Sequence, residues 1–302
     1  MLLWLLPTFD RLLQGADVSD AIHALLARHR PSYEVRSLAE LGGGLDNIVY
    51  DVNGDLVVRL SRQPDRVVRR ESTEREAALL ARVTELSTFP VPELVFADPE
   101  AGVLAYTKLP GVPLHEHPVP EPARLAAPLG RFLRGLHSAP LEVVEDLAPR
   151  DTEPLTTWLS EAEENYREIA THLPAPARTR VEDFLAHPPP AEPHSLAFCH
   201  NDLGAEHLLV AVEASRITGV IDWTDAAIAD PAHDLALIYR DLGPRVFDLT
   251  LTHYAGESDD SDRERSLFYA RCALIEDIAY GLRTGERVYA EAGLAHLDWT
   301  FA

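Results

Sequence analysis

The sequence predicts an α+β fold in two lobes, a small strand-rich N-terminal part and a larger, mainly helical C-terminal part. Three observations lead there. Residues 35 to 60 alternate and break at turn residues in the manner of strands, whereas apolar positions from Ala123 onward recur mostly at helical spacing. The helical part carries one clear hairpin, and the stretch around it, Phe198 to Tyr239, gathers most of the side chains able to do chemistry. With 302 residues the chain can bury a substantial core as one large domain or two lobes. We place the division between residues 1–109 and 110–302.

Residues 8 to 30 read as a helical opening, capped at Asp17 or Ser19, with Ala21, Ile22, Leu25 and Leu26 on one face. In Val35 to Leu60 the period changes, and Asn53-Gly54 forms a two-residue turn between Ile48–Val52 and Asp55–Leu60. Gly42, Gly43 and Gly44 lie between the first strand and this hairpin. Glycines there serve a turn, or let the backbone approach phosphate oxygens closely. Arg59 shares a strand face with Val57, so it needs a partner if buried. The next helix, about Arg70 to Leu86, supplies Glu76 on its apolar stripe with Leu79, Leu80, Val83 and Leu86.

Two short strands flank Asp98 to Gly102 within Val91 to Pro113. Helices follow over Ala123–His137, Pro154–Leu173 and Pro176–Ala186, then a proline-rich arm from His187 to His194 and a strand at Leu196–Cys199. Asp230 caps a last helical region, with Pro231 at its first position, extending to Trp299. The acidic run Glu257 to Asp262 reads as a solvated loop.

Within the central stretch, Leu208–Val212 and Ile217–Ile221 are separated by four polar or small residues, Glu213 to Arg216. Pairing Val212 with Ile217 sets His207 opposite Asp222, and facing Cβ atoms stand about 5 Å apart. Asp202 lies in the short loop before the hairpin, so two carboxylates and an imidazole converge. That group suits one divalent cation held by His207 and Asp222, with Asp202 free to accept a hydroxyl proton. Phosphoryl transfer needs little more, because positioning and charge neutralisation serve its loose transition state. A hydrolytic zinc site is the competing reading, but no HExxH pattern occurs and His200 and His207 are seven apart with no third ligand at a fixed spacing. A glycine loop and an Arg–Glu pair ahead of this group imply a nucleotide cleft between two lobes.

Composition narrows the partners. Asp and Glu number 49 against 27 Lys and Arg, a net charge of -22. A field of that sign repels nucleic acid and anionic membrane, and it favours cationic ligands in clefts. Hydrophobic content of 46% is ordinary for a folded protein. Two cysteines, Cys199 and Cys272, make no disulfide framework and fit a reduced, cytoplasmic setting, with Cys199 read as a small core residue. MLLWLLP lacks the basic start and the length of a signal peptide, and no stretch is long enough for a membrane span. A monomer is expected.

The motifs HNDLGAEH, IDWTD and ADPAHDLALIY, together with REAALL and YTKLPGVPL, resemble those of the aminoglycoside and macrolide phosphotransferases, which share the protein-kinase-like fold. The resemblance covers roughly residues 40 to 245. By that resemblance Asp202 is the catalytic aspartate, Asp222 and His207 hold Mg²⁺, and Arg59 stands where the family has a phosphate-binding lysine, with Glu76 as its helix partner. Tyr106 would precede the hinge, and the backbone of Thr107 and Leu109 would face the purine of ATP or GTP. His207 replaces the more common asparagine, as in the macrolide enzymes and the aminoglycoside enzymes acting on the 2''-hydroxyl. His200 and Asp234 would hold the loop and hairpin in place.

The function expected is transfer of a phosphoryl group to a hydroxyl of a small cationic antibiotic, an aminoglycoside or a basic peptide of the tuberactinomycin kind. The same fold could act on a macrolide, or on a metabolite such as choline or a small sugar. A nucleotide-binding protein without catalysis is the reading from another class, kept open by arginine in place of lysine at position 59. A protein kinase is disfavoured because no long activation segment lies between Asp222 and Asp230.

Overall fold

A computed structural model of the chain describes residues 18–43, 47–254 and 260–302. Gly44, the MLLWLLP start, the opening helix before Val18 with its Asp17 cap, and Glu257 to Asp259 of the acidic run lie outside the described residues. The fold is an antiparallel-sheet N-terminal unit and a helical C-terminal unit, with eight α-helices among the described residues. The first unit comprises residues up to Glu85 with Pro90–Leu109, and the second comprises Leu86–Phe89 with Pro110–Ala302.

In the N-terminal unit, helix α1 (Val18–His29) buries Ala21, Ile22, Leu25 and Leu26, the face its periodicity defines. Ile22, Leu25 and Leu26 pack with Val52, Leu56, Val58, Leu60, Val103 and Ala105 of a five-stranded sheet. Its strands are β1 (Leu38–Gly43), β2 (Asn47–Val52), β3 (Leu56–Ser61), β4 (Leu94–Asp98) and β5 (Val103–Thr107), in the order β1-β2-β3-β5-β4. The β2–β3 loop has three residues and not the two expected, because Val52 pairs with Leu56. Asn53 sets this: its Oδ1 accepts from the amides of Arg36 and Ser37, and its Nδ2 donates to the Glu34 carbonyl. Those bonds hold Asn53 at φ 59, and Asp55 is needed to complete the reversal.

Helix α2 (Arg66–Leu86) begins four residues before the expected start. The cause is Asp65, whose Oδ1 accepts from the amides of Val67 and Val68 as an N-cap.

The C-terminal unit holds α3 (Ala123–His137), α4 (Leu155–Ile169), α5 (Ala175–Leu185), α6 (Pro231–Tyr254), α7 (Asp260–Thr284) and α8 (Arg287–Thr300). Two small antiparallel sheets sit among them. One joins β7 (Ala197–Cys199) to β10 (Ala227–Ala229), and the other orders β6 (Val112–Pro113), β8 (Leu208–Ala211) and β9 (Arg216–Val220) as β6-β8-β9. The strands β6 and β10 are too short to leave a periodic signal in the sequence. The expected continuous helical run to Trp299 is broken at Gly243 and Gly285, where φ is 78° and 84°. Glycine takes that left-handed backbone at little cost, and Pro244 then restarts α6 in a new direction.

The hairpin register differs from the expected one. The turn is Val212–Ser215, with Ser215 at φ 45°, so Ala211 pairs with Arg216, and Val210 with Ile217. Thr218 forms a bulge, beyond which Leu209 pairs with Gly219 and Leu208 with Val220. His207 is therefore bonded to Ile221, whose amide donates to its carbonyl at 3.0 Å, and not paired with Asp222. No helix among the described residues is long and apolar enough to cross a membrane. Both cysteines are buried and unpaired.

Candidate active site

The site in the C-terminal unit is built on Asp234, in the first turn of α6. Asp230 starts that turn, its carboxylate accepting from the Ala232 amide at 3.0 Å. Asp234 is fully buried and accepts from the amides of His200 at 3.0 Å and Asn201 at 2.8 Å. His137, at the end of α3, meets it through Nε2 at 3.0 Å. Burial would push this carboxyl up, but His137, His200 and His233 outweigh it and hold it below the usual range. One ionised carboxylate thus fixes the loop that leaves β7.

His200 ties the loop to the hairpin. Its Nδ1 accepts from the Asp202 amide at 3.3 Å, so Nε2 carries the proton and donates to the Ile221 carbonyl at 3.0 Å. Burial pushes this imidazole down to about 4, which keeps it neutral, and it packs on Trp223 at 4.5 Å. Asn201, at φ 65°, turns the chain so that Asp202 leaves the buried layer.

Asp202, His207 and Asp222 are brought together. His207 Nδ1 donates to the Asp202 carbonyl at 2.7 Å and lies 3.3 Å from its carboxylate, while Nε2 faces the Asp222 carboxylate at 3.9 Å. Asp222 reaches this position despite the shifted register because its φ is 58°, a left-handed turn that carries the side chain back toward His207. Thr224 Oγ1 donates to Asp222 Oδ1 at 2.7 Å and steadies it. The Asp202 side chain is 38% exposed. Its pKa is nonetheless pushed up to about 6, chiefly by desolvation, with His207 pulling the other way and Glu206 and Asp225 adding to the rise. Burial would lower His207, but Asp202, Asp222 and Glu206 raise it above its ordinary value.

In its neutral form, with the proton on Nδ1, His207 presents the Nε2 lone pair on the side of the Asp222 carboxylate. That nitrogen–oxygen pair is a donor set a divalent cation can use, and Glu206 lies within the same cluster as Asp202 and His207.

In the N-terminal unit, Arg59 sits on β3 between Val49 and Leu104 and forms an ion pair with Glu76. Both side chains are largely covered, at 11% and 24% exposure. Gly42 follows a bulge in β1 and has φ 146°, so the strand end needs glycine there, and Gly43 closes the strand. Tyr106 is half-buried near the end of β5. The Thr107 amide donates to the Glu93 carbonyl, and the Leu109 amide has no backbone partner among the described residues.

Sequence reasoning missed a second layer. Arg240 on α6 is buried and meets three carboxylates: Asp241 at 2.7 Å, Asp277 at 2.9 Å and Glu206 at 3.7 Å. Asp241 also accepts from the Ala205 amide at 2.8 Å, so the loop is held from two sides. These residues line a cavity of about 250 Å³ with His115, Tyr289 and His296. A charge pair directly after the apolar LALIY run, and an aspartate inside the apolar ALIEDIAY turn, were the available signals. His137 left none beyond its place at a helix end.

A model of the phosphotransferase enzyme family matches residues 37–269. Viomycin phosphotransferase of Streptomyces vinaceus is 29% identical over 202 residues, covering 65% of this chain and 69% of its own. Aminoglycoside 3'-phosphotransferase of Streptomyces fradiae is 31% identical over 198 residues, covering 60% of this chain and 71% of its own. Among solved structures, the GDP and kanamycin complex of an aminoglycoside 2''-phosphotransferase shares the fold with a TM-score of 0.70. That likeness is at 22% identity and covers 93% of this chain and 98% of that one. The matched span takes in the glycine strand, Arg59, Glu76, the Asp202 loop and the Asp222 hairpin. The chain belongs to the phosphotransferase enzyme family.

Proposed function

We propose that the chain transfers the terminal phosphoryl group of ATP or GTP to a hydroxyl of a small cationic antibiotic, an aminoglycoside or a basic peptide of the viomycin kind. The observation that carries this reading is the single imidazole of His207, bonded to Asp202 through Nδ1 and facing Asp222 through Nε2. One carboxylate suited to accept a proton and another suited to hold a cation thus flank one ring. The family supports the reaction class, and the relatives named for viomycin and aminoglycosides support the acceptor class.

In the reaction, Asp202 accepts the proton of the acceptor hydroxyl as that oxygen forms its bond to phosphorus. The bond from phosphorus to the bridging oxygen of the nucleoside diphosphate breaks, and the diphosphate leaves. His207 and Asp222 would hold Mg²⁺, which when bound neutralises phosphate charge. Arg59, kept rigid by Glu76, takes a phosphate oxygen through its planar fork, in place of the compact ammonium of a lysine. Backbone at Gly42 and Gly43, and the Leu109 amide beyond Tyr106 and Thr107, serve the rest of the nucleotide. We place the reaction in the cytoplasm, where nucleoside triphosphates are held.

The acceptor pocket on this reading is the cavity beside Ala205 and Glu206. Asp241 and Glu206 there outnumber the one guanidinium of Arg240 even with Asp277 protonated, which leaves the wall negative and suits a polyamine. A phosphotransfer screen tests the proposal, with both nucleotides against aminoglycosides, tuberactinomycins, macrolides and choline. Turnover confined to choline or macrolides would reject the acceptor class, and bound nucleotide with no turnover anywhere would reject catalysis.

A further inference from the structure

A second cavity, of about 240 Å³, opens in the C-terminal unit away from Arg240 and its carboxylates. It lies by the N-terminal ends of α4 and α6, against α7. Three aromatic rings from three helices form its wall: Trp158 lies 4.9 Å from His233 and 5.1 Å from Tyr269, and His233 lies 5.2 Å from Tyr269. Asp151, Glu153 and Glu192 stand at its edge, and none forms an ion pair with a cation among the described residues. Asp230 is different, since Arg265 neutralises it at 2.7 Å.

Two polar atoms on this wall lack partners. His233 is 8% exposed, and its Nδ1 donates to Asn201 Oδ1 at 3.1 Å, so Nε2 is a bare acceptor with no hydrogen bond among the described residues. Tyr269 is 5% exposed, and its hydroxyl has no partner among them either. Burial lowers the His233 pKa and keeps the ring neutral. Asp151 and Glu192 each accept from one backbone amide, of Glu153 and Leu155, at 3.0 Å, which leaves their charge unbalanced. An acceptor left open to the cavity on an otherwise buried ring, beside aromatic faces and carboxylates that no cation pairs, suits a cationic donor.

We infer that this cavity is a binding site for a protonated aliphatic amine, separate from the acceptor pocket. The ammonium sits against the Trp158 face, donates to His233 Nε2 and is balanced by Asp151, Glu153 and Glu192. An anion is excluded by the same carboxylates, and a neutral alcohol would forgo both the ring and the charge terms. Asn201, which takes the His233 proton, immediately precedes Asp202, so an occupant here touches the loop that carries the base.

The test uses ¹⁵N-tryptophan-labelled full-length chain without nucleotide, titrated with putrescine and, separately, with its neutral counterpart 1,4-butanediol. The Trp158 indole signal, assigned with Trp158→Phe, is expected to shift saturably with putrescine and not with the diol. Glu153→Gln, an exposed change with no folding role, should weaken binding about threefold. Asp277→Asn in the other pocket should leave the Trp158 titration unchanged. Absence of a saturable shift, an equal shift with the diol, or loss of the shift in Asp277→Asn would overturn the inference. Since no phosphotransfer is measured, failure here leaves the proposed reaction untouched.

Discussion

His207 faces Asp222 across 3.9 Å although its partner in the β8–β9 ladder is Ile221. The bulge at Thr218 shifts the register, and the left-handed backbone at Asp222 returns the carboxylate to the imidazole. Asp222→Asn keeps the shape and removes the charge. We expect its transfer rate to fall about a hundredfold or more at saturating Mg²⁺. His207→Asn, which retains a neutral donor, should lose less and recover as Mg²⁺ is raised. Initial rates over a Mg²⁺ series check both.

Asp202→Ala should lower turnover by about 10²- to 10⁴-fold, the range for a positioned general base. Nucleotide affinity, measured by calorimetry, should stay within about twofold, because Asp202 contacts the acceptor and not the nucleotide on this account. A loss confined to nucleotide affinity would remove Asp202 from the role of base.

Arg59→Ala should weaken nucleotide binding and slow transfer, and Glu76→Gln should do both to a smaller degree by freeing the guanidinium. The measurement is nucleotide Kd together with kcat for each variant. An unchanged Kd and kcat in Arg59→Ala would assign the pair to structure alone, since a largely covered ion pair can persist without touching a ligand.

Asp277 gives a pH signature. Desolvation pushes its pKa up to about 8, against the pull of Arg240, because Asp241 and Glu206 already occupy that guanidinium. The native chain then keeps a proton that the unfolded chain releases near its ordinary value of about 4. The stabilising contribution is full below about pH 4 and is lost as pH rises toward about 8. Melting temperature should therefore fall with pH across this window in the wild type, and less steeply in Asp277→Asn. Parallel curves for the two proteins would contradict the shift.

Asp234→Ala removes a buried acceptor that serves two amides and His137, and should cost about 3 kcal/mol of stability. Denaturant unfolding measures it.

The helices were legible because their apolar faces repeat. Ala123–His137 is found at the expected bounds, and the face of α1 is the predicted one. The Arg59–Glu76 contact was readable from a cation on a strand face and a carboxylate on the following apolar stripe. Register was not. A one-residue change in the turn at Ser215 and a bulge at Thr218 leave no periodic trace, and His207 meets Asp222 through backbone conformation and not through strand pairing. The second layer was also hidden. Arg240, Asp241 and Asp277 come from two helices, and only packing shows that they share one site.

The most direct test of the central claim is mass spectrometry of an aminoglycoside or tuberactinomycin acceptor after incubation with the chain, Mg²⁺ and ATP or GTP. The account predicts an acceptor carrying one added phosphoryl group with the wild type and essentially none with Asp202→Ala. Equal product from both proteins, or none from the wild type while nucleotide is bound, would contradict it.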